Sequence, residues 1–412
     1  MNTIELNKNG SVTSPKGFKA TGITAGLKKS GKPDLALIKS EFPTVTAGAF
    51  TSNLFAAAPV VWDRKLLAAG HSIRAVVINS GIANACTGKQ GYKDTQDMAT
   101  QVATLLNLKP EEVFVSSTGR IGVPMPMDII RKGIAKAAAS LRDDGGILAS
   151  EAIITTDTYP KHISASVIID GKRVTIGGMT KGAGMIAPQM KMCRPPQATM
   201  LSYITTDAAI TREALNACLS ESLEKSYNRI IIDGDTSTND TLVCIANGQA
   251  GNPQLTEKSA SLKLFSEALN KVSGLLAKEM VLDGEGVSSF IELNICGAHS
   301  DSDARKCAEA IARSPLCKTA WFGCDPNWGR ILDAAGYSGI LFDPEKVQLD
   351  YENVPVVRNG VDAGTPEKKL AEILHQREMS ISLDLGSGTG KFTLWTCDLT
   401  YQYVKINAEY HT

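Results

Sequence analysis

Short apolar runs alternate with segments of helical periodicity along most of the chain. The runs RAVVINS (74–80) and EEVFVSS (111–117) are typical of strands, and the second is predicted to run into a turn at Thr118 and Gly119. Helical spacing places two apolar sets each on one helix face: Leu215, Cys218, Leu219 and Leu223, and Leu262, Phe265, Leu269, Val272 and Leu276. The pattern predicts a mixed α/β fold.

Turn residues mark two predicted hairpins. In VIIDGKRVTIGG (167–178), the dipeptide Asp170–Gly171 is a typical two-residue hairpin turn. GSGTGKF (386–392) resembles a phosphate-binding loop, but such a loop needs Gly at the position of Leu385 and Ser or Thr at that of Phe392. Because this segment stands between two strand-like runs, we expect a glycine-rich hairpin turn and no nucleotide site.

Composition narrows the class of protein. With 412 residues, 43% hydrophobic and 21% charged, the chain is long enough for two or three domain-sized lobes. Its 43 Lys and Arg balance its 43 Asp and Glu, which favours a small-molecule substrate over nucleic acid or an anionic membrane. No apolar signal core opens the sequence, so we predict a cytoplasmic protein. The spacing of the nine cysteines and five histidines indicates neither a metal site nor a disulfide framework.

Four glycine-rich segments carry polar residues: SSTGRIGVP (116–124), KGAGMIAP (181–188), DGDTSTNDT (233–241) and CDPNWGR (324–330). Each alone is more typical of a structural loop than of a site. Together they indicate a pocket built from loops.

Four residues in or near these loops are candidates for substrate chemistry. The Thr118 hydroxyl and the Gly119 amide could stabilise the oxyanion of an acyl-transfer intermediate, although an ordinary turn shows the same pattern. Lys181 could bind a carboxylate or lie solvated at a strand end. Glu285 could bind a substrate ammonium group or be an acid in the loop after a helix.

The Ala198–Thr199 bond in QATMLSY (197–203) is a candidate self-cleavage site. Thr often opens a strand, which is one explanation for its position before an apolar run. Alternatively, Thr199 Oγ attacks the carbonyl of Ala198 and converts the amide into an ester, whose hydrolysis frees the Thr199 amine. That amine, with a pKa of about 7.7–8.0, would then be the base for the same hydroxyl.

The chain resembles the ornithine acetyltransferases, also called bifunctional glutamate N-acetyltransferases, of arginine biosynthesis. The resemblance covers nearly the whole chain and rests on these segments in the family's order: SPKGFKATGITAGLKKSGKPDLALI, NSGIANACTG, SSTGRIGVPMP, TTDTYPK, KGAGMIAP, ATMLSYITTDA, DGDTSTNDT, DGEG, DPNWGRILDAAGYSG and YVKINAEYHT.

The resemblance implies a role for each matching residue. Thr199 corresponds to the catalytic nucleophile released by autocleavage after Ala198, and Thr118 and Gly119 correspond to the oxyanion hole. The implied substrate-binding residues are Thr155, Lys181, Thr199, Glu285, Asn407 and Thr412.

The resemblance also implies an activity and an assembly. Family members move an acetyl group from N-acetylornithine to glutamate through an acetyl-threonine, by a ping-pong route without metal or bound cofactor, and some accept acetyl-CoA as a donor. The implied fold is a layered α/β sandwich with a smaller C-terminal α/β lobe. The implied α chain (1–198) and β chain (199–412) would stay together, typically as an α2β2 heterotetramer.

The sequence departs from the family pattern immediately before the implied cleavage site, where KMCRPPQ (191–197) adds seven residues. Arg120 and Ile82 stand where an apolar residue and an Asn are expected. Two other functions therefore stay open. One is an amidohydrolase or aminopeptidase on the same scaffold, and the other is an uncleaved amino-acid-binding protein that the insert has inactivated.

Overall fold

The structure of the protein, a computed structural model, describes residues 3–188, 190–192 and 200–409. The strands are β1 (Glu5–Asn7), β2 (Phe18–Ile23), β3 (Leu35–Ser40), β4 (Val45–Phe50), β5 (Ala75–Ile82), β6 (Val113–Arg120), β7 (Lys161–Ile169), β8 (Lys172–Lys181), β9 (Lys191–Met192), β10 (Leu201–Thr206), β11 (Ile230–Ile231), β12 (Thr241–Ala246), β13 (Phe290–Ala298), β14 (Gln348–Tyr351), β15 (Val354–Arg358), β16 (Val361–Asp362), β17 (Glu378–Asp384) and β18 (Gly390–Cys397).

The helices are α1 (Ala58–Ala68), α2 (Gly88–Leu106), α3 (Met127–Ala139), α4 (Gly146–Ile153), α5 (Arg212–Lys225), α6 (Leu262–Leu282), α7 (Asp301–Arg313), α8 (Pro315–Phe322), α9 (Gly329–Gly336), α10 (Glu367–Leu374) and α11 (Tyr401–Glu409). None of the helices in the described part of the chain combines the length and the apolarity that a membrane crossing requires.

The central sheet has the strand order β1-β7-β8-β10-β12-β4-β9. All six residues of β10 are buried, as expected for a strand covered on both faces. Because side chains alternate along a strand, Leu201 and Tyr203 of β10 enter one core, whereas Ile204 enters the core on the opposite face. β10 pairs antiparallel with β8 and parallel with β12.

A four-stranded sheet, ordered β2-β3-β5-β6, packs over one face of the central sheet. Helices α1 and α4 contact strands of both sheets. The opposite face of the central sheet is covered by α5 and α6, whose predicted apolar faces lie in the second core.

The C-terminal part of the chain adds a third sheet, ordered β11-β18-β13-β17-β14-β15-β16. Its core contains residues of α7, α8, α9 and α10. The predicted layered α/β fold with a C-terminal α/β lobe is therefore confirmed.

The predicted hairpin at 167–178 is present. β7 and β8 pair antiparallel around Asp170 and Gly171. Both turn residues have positive φ, 48° and 75°, as a type I′ turn requires. The local dipeptide was sufficient to identify this turn.

The predicted hairpin at 386–392 is wrong. β13 lies between β17 and β18, so these two strands do not pair with each other. Their connection crosses the end of β13, where the Leu385 and Ser387 amides donate to the carbonyls of Cys296 and Gly297 (3.0 and 2.7 Å). The glycines allow this crossing, since a β-carbon at Gly388 would lie 2.4 Å from the Ala298 carbonyl oxygen.

The boundaries of the second predicted strand also differ. Residues Pro110–Glu112 form a 3-10 turn, and β6 begins at Val113. Thr118 and Gly119 continue the strand, because they pair in register with Ser80 and Gly81 of β5. The turn predicted at 118–119 is therefore wrong, and it follows at residues 121–122.

Candidate active site

Thr118 and Gly119 lie at the end of β6, next to the parallel strand β5. Gly119 has φ 125°, and a β-carbon there would lie 2.3 Å from the carbonyl carbon of Gly81. This position therefore requires glycine. The Asn239 side chain donates to the Ser117 carbonyl (2.7 Å), which fixes the strand just before Thr118.

Lys181 is the last residue of β8 and lies opposite Leu201 of β10. Its side chain is buried, with 6% exposure, and its Nζ donates to Thr118 Oγ1 (3.4 Å). Because the Thr118 oxygen accepts this bond, the Thr118 O–H is directed away from the ammonium group.

Burial lowers the pKa of the Lys181 ammonium from its ordinary value. Neighbouring carboxylates oppose that effect, with Asp157 contributing most and Glu285 and Asp240 less. The Asp240 carboxyl is itself fully buried, which raises its pKa well above the usual range. Burial would raise the pKa of the Asp157 carboxyl, but Lys161 and Lys181 outweigh burial and hold it below its ordinary value, so Asp157 is a negative charge beside Lys181.

Glu285 follows the end of α6 and approaches the loop after β8. Its backbone amide donates to the Ala183 carbonyl (2.9 Å), and its Oε2 accepts from Asn407 Nδ2 (2.7 Å). A β-carbon at Gly184 would lie 2.4 Å from the Glu285 carboxyl carbon. The glycine at 184 thus lets a buried carboxylate lie directly against the loop.

These residues surround one cavity of about 170 Å³. A cavity of this size takes several water molecules or a small polar molecule. Its lining residues are Thr118, Gly119, Ile121, Thr155, Thr156, Lys181, Gly184, Met185, Ser237, Thr238, Asn239, Glu285 and Asn407.

Six residues that the sequence singled out line this same cavity: Thr118, Gly119, Thr155, Lys181, Glu285 and Asn407. Ala198, Thr199 and Thr412 lie outside the described residues, as does most of the insert 191–197. Met200 is buried, and its carbonyl accepts from the Thr241 amide (2.7 Å).

One of the four predicted pocket loops does not contribute. Residues of 116–124, 181–188 and 233–241 line the cavity. In contrast, 324–328 connects α8 to α9, and Trp328 packs against the core of the third sheet. Gly329 and Arg330 begin α9, and the residues before them form the connection.

The sequence did not identify several lining residues individually. Ser237, Thr238 and Asn239 were inside a predicted loop, but nothing in their order distinguished them from the rest of it. Met185 and Ile121 give no polar signal at all. Their place in the wall is decided by loop geometry.

The chain is similar to one protein family, to named relatives and to part of a solved structure. A model described as the ArgJ family matches residues 19–412. An arginine biosynthesis bifunctional protein ArgJ from Symbiobacterium thermophilum is 48% identical over 405 residues, covering 98% of this chain and 99% of its own. The protein of that name from Thermosynechococcus vestitus is 43% identical and covers 98% of each chain. A crystal structure of ornithine acetyltransferase complexed with ornithine from Mycobacterium tuberculosis is 43% identical, covers 46% of this chain and all of its own, and has a TM-score of 0.44.

Proposed function

The chain belongs to the ArgJ family, and we propose that the 170 Å³ cavity is where this acetyltransferase of arginine biosynthesis binds its substrates. The enzyme is a glutamate N-acetyltransferase, which moves an acetyl group from N-acetylornithine to glutamate. The observation that supports the site is the meeting of a buried ammonium, a buried carboxylate and a hydroxyl beside a glycine in one cavity.

Each of these groups matches a part of N-acetylornithine. Lys181 would bind the α-carboxylate, and Glu285 would bind the side-chain ammonium. The Thr118 hydroxyl and the Gly119 amide would stabilise the negative charge that develops on the acetyl oxygen. Thr155 and Asn407 would complete the substrate-binding wall.

The proposed nucleophile is Thr199, released when the bond after Ala198 breaks. Thr199 Oγ would attack the Ala198 carbonyl, the peptide nitrogen would take a proton and leave, and water would hydrolyse the resulting ester. The proposal is supported by the position of β10, which begins two residues later opposite Lys181. The freed amine would deprotonate the hydroxyl for attack on the acetyl donor.

Acetyl transfer would then proceed in two halves. The acetyl group would pass to Thr199 Oγ with release of ornithine, and the amine of glutamate would remove it. The bifunctional name of the relatives supports a second donor, for which we propose acetyl-CoA. No metal or bound cofactor enters this scheme.

An intact mass spectrum under denaturing conditions tests the nucleophile first. Two species, 1–198 and 199–412, are expected, together with a single 43.8 kDa species for the Thr199→Ala variant. A single 43.8 kDa mass for the wild-type protein would contradict the proposed amine base.

Product analysis separates this enzyme from an amidohydrolase. Ornithine release from N-acetylornithine is expected to depend on glutamate and to yield N-acetylglutamate in equal amount. Acetate release unaffected by glutamate would favour hydrolysis instead.

The insert provides the test of an inactive binding protein. An intact chain that binds ornithine without turnover would favour that alternative, and deletion of 191–197 would then restore cleavage. If the deletion variant also stays intact, the insert is not the cause. The α2β2 assembly and the cytoplasmic location remain part of the proposal, to be checked by native mass and by cell fractionation.

A further inference from the structure

Three charged side chains lie behind the wall of the cavity without lining it: Asp157, Lys161 and Asp283. Their side-chain exposures are between 0 and 2%. Lys161 Nζ donates to Asp157 Oδ1 (2.8 Å) and to Asp283 Oδ2 (2.5 Å). We refer to these three residues as the buried triad.

The buried triad holds backbone amides of Thr155, which lines the cavity, and of Thr158 and Gly182, which lie next to lining residues or near them in the chain. Asp157 accepts from the amides of Thr155 (3.0 Å) and Gly182 (2.7 Å). Asp283 accepts from the Thr158 amide (3.0 Å) and also from its hydroxyl. One set of charges therefore links the 155–158 segment, the end of β8 and the end of α6.

The triad carries two carboxylates and one ammonium group, which leaves one negative charge in excess. A buried charge is costly without a partner. Burial alone would raise the pKa of the Asp157 carboxyl, but Lys161 and Lys181 outweigh that effect and hold it well below the ordinary value. The cavity lysine, Lys181, is thus a second positive charge that acts on Asp157, and Asp157 is held next to it by the bond from the Gly182 amide.

We infer that Asp157, held by Lys161 and Asp283, is a positioning residue that keeps Lys181 charged and in place to bind the carboxylate of the substrates. This inference rests on the function proposed above. In the proposed binding mode, Asp157 does not touch the substrate. It acts through Lys181 and through the Thr155 and Gly182 amides.

Other charged groups also act on Lys181. Glu285 attracts its ammonium group, whereas Lys161 and Lys28 repel it, and Asp240 attracts it only when ionised, which burial disfavours. Lys28 is fixed nearby by bonds to the carbonyls of Pro33 and Ile154 (2.7 and 2.8 Å). Removal of the Asp157 charge leaves the two repelling lysines in place, so deprotonation of Lys181 becomes easier.

Asp157→Asn tests the inference, because it removes the charge and keeps the shape, with one oxygen left for either the Gly182 amide or the Thr155 amide. Rates of acetyl transfer from N-acetylornithine to glutamate would be measured from pH 6 to 9. An opposite charge moves a pKa by about 1–3 pH units, so we expect the rise of KM with pH to begin at least about one pH unit lower. Above the pH at which the rise begins, a displacement of one pH unit corresponds to a KM up to about tenfold above wild type, with kcat within about threefold and a smaller KM effect at pH 6.

A purely structural role for Asp157 would not move the KM profile along the pH axis. A matched control is Glu221→Gln, which removes the acid from an exposed pair with Lys225 at the same four-residue spacing. Its profile is expected to match wild type, since exposed pairs contribute little. A variant profile for Asp157→Asn that superimposes on wild type would overturn the inference.

If Asp157→Asn does not fold, Asp283→Asn takes its place. Without the Asp283 charge, Lys161 is paired with Asp157 alone and neutralises more of the Asp157 charge that acts on Lys181. A smaller displacement of the KM profile in the same direction is therefore expected. An unchanged profile for this variant would also overturn the inference. Wild-type protein without acetyl transfer would instead defeat the proposed function, so the two failures are distinguishable.

Discussion

At the scale of single residues, Asp63 of α1 carries a polar group far inside the protein. Its Oδ1 accepts from the Val115 amide (2.9 Å), whereas Oδ2 has no hydrogen-bond partner among the described residues. Burial raises the pKa of this carboxyl well above its usual range. The folded state therefore keeps the proton on Asp63 up to a higher pH than the unfolded state does.

Asp63→Asn is expected to change how stability depends on pH. The stability that protonated Asp63 retains below about pH 4 is lost as pH rises towards its folded pKa, at about 1.4 kcal/mol for each pH unit. The neutral amide escapes this loss. The variant should therefore be more stable relative to wild type at pH 8 than at pH 4.5, with a larger difference in the free energy of unfolding in its favour. Denaturant titrations at both pH values measure this, and an equal difference at both would contradict it.

Substitution of Thr118 is expected to change catalysis rather than folding. Thr118→Val keeps the shape and removes the hydroxyl, so kcat should fall about 10²–10³-fold if the hydroxyl stabilises the oxyanion. Thr118→Ser retains the hydroxyl and should lose less than about tenfold. Steady-state acetyl transfer by the three proteins tests this, and a Val variant as active as the Ser variant would remove Thr118 from the oxyanion hole.

At the scale of elements, the connection between β17 and β18 shows how a crossing depends on glycine. A β-carbon at Gly388 would press on the backbone of β13, which cannot move independently of its neighbours. We expect Gly388→Ala to lower the free energy of unfolding by about 1–3 kcal/mol, as overpacking does.

Gly336→Ala is the control for this substitution. Gly336 ends α9, and nothing lies within 4 Å of a β-carbon there. Alanine in a helix is favoured over glycine by up to about 1 kcal/mol, so this variant should be as stable as wild type or more stable. Chemical denaturation compares the two, and equal effects would show that the crossing is not tight.

At the scale of the whole molecule, the two halves of the chain share the central sheet. β10 and β12 follow residue 199, and they lie between β8 and β4, which both precede it. A break after Ala198 would therefore leave each fragment with strands inside the same sheet. Separation would expose buried strand edges and both cores.

We expect the fragments 1–198 and 199–412, once formed, to remain together under native conditions. They should co-elute in gel filtration, also when the buffer contains 1 M NaCl. The contact between them is a paired sheet with apolar cores rather than a set of surface charges. They should separate only in denaturant. Elution as two species without denaturant would contradict this arrangement.

Much of the fold and the site was predictable because it depends on neighbours in sequence. The Asp170–Gly171 turn needs only two adjacent residues with positive φ. The apolar faces of α5 and α6 follow from spacing alone. Thr118, Lys181 and Glu285 were identified through resemblance to a family and through their chemistry. The structure then places all three in one cavity.

Contacts between distant residues were decided by the tertiary structure. β13 separates β17 from β18, which no local pattern in 386–392 indicates. Likewise, Lys161 meets Asp283 across 122 positions. The sequence by itself determined the elements and the family, because periodicity and motif order are local. Only the packing of the sheets decided which strand lies between two others and which charges meet, since these depend on surfaces that exist only after folding.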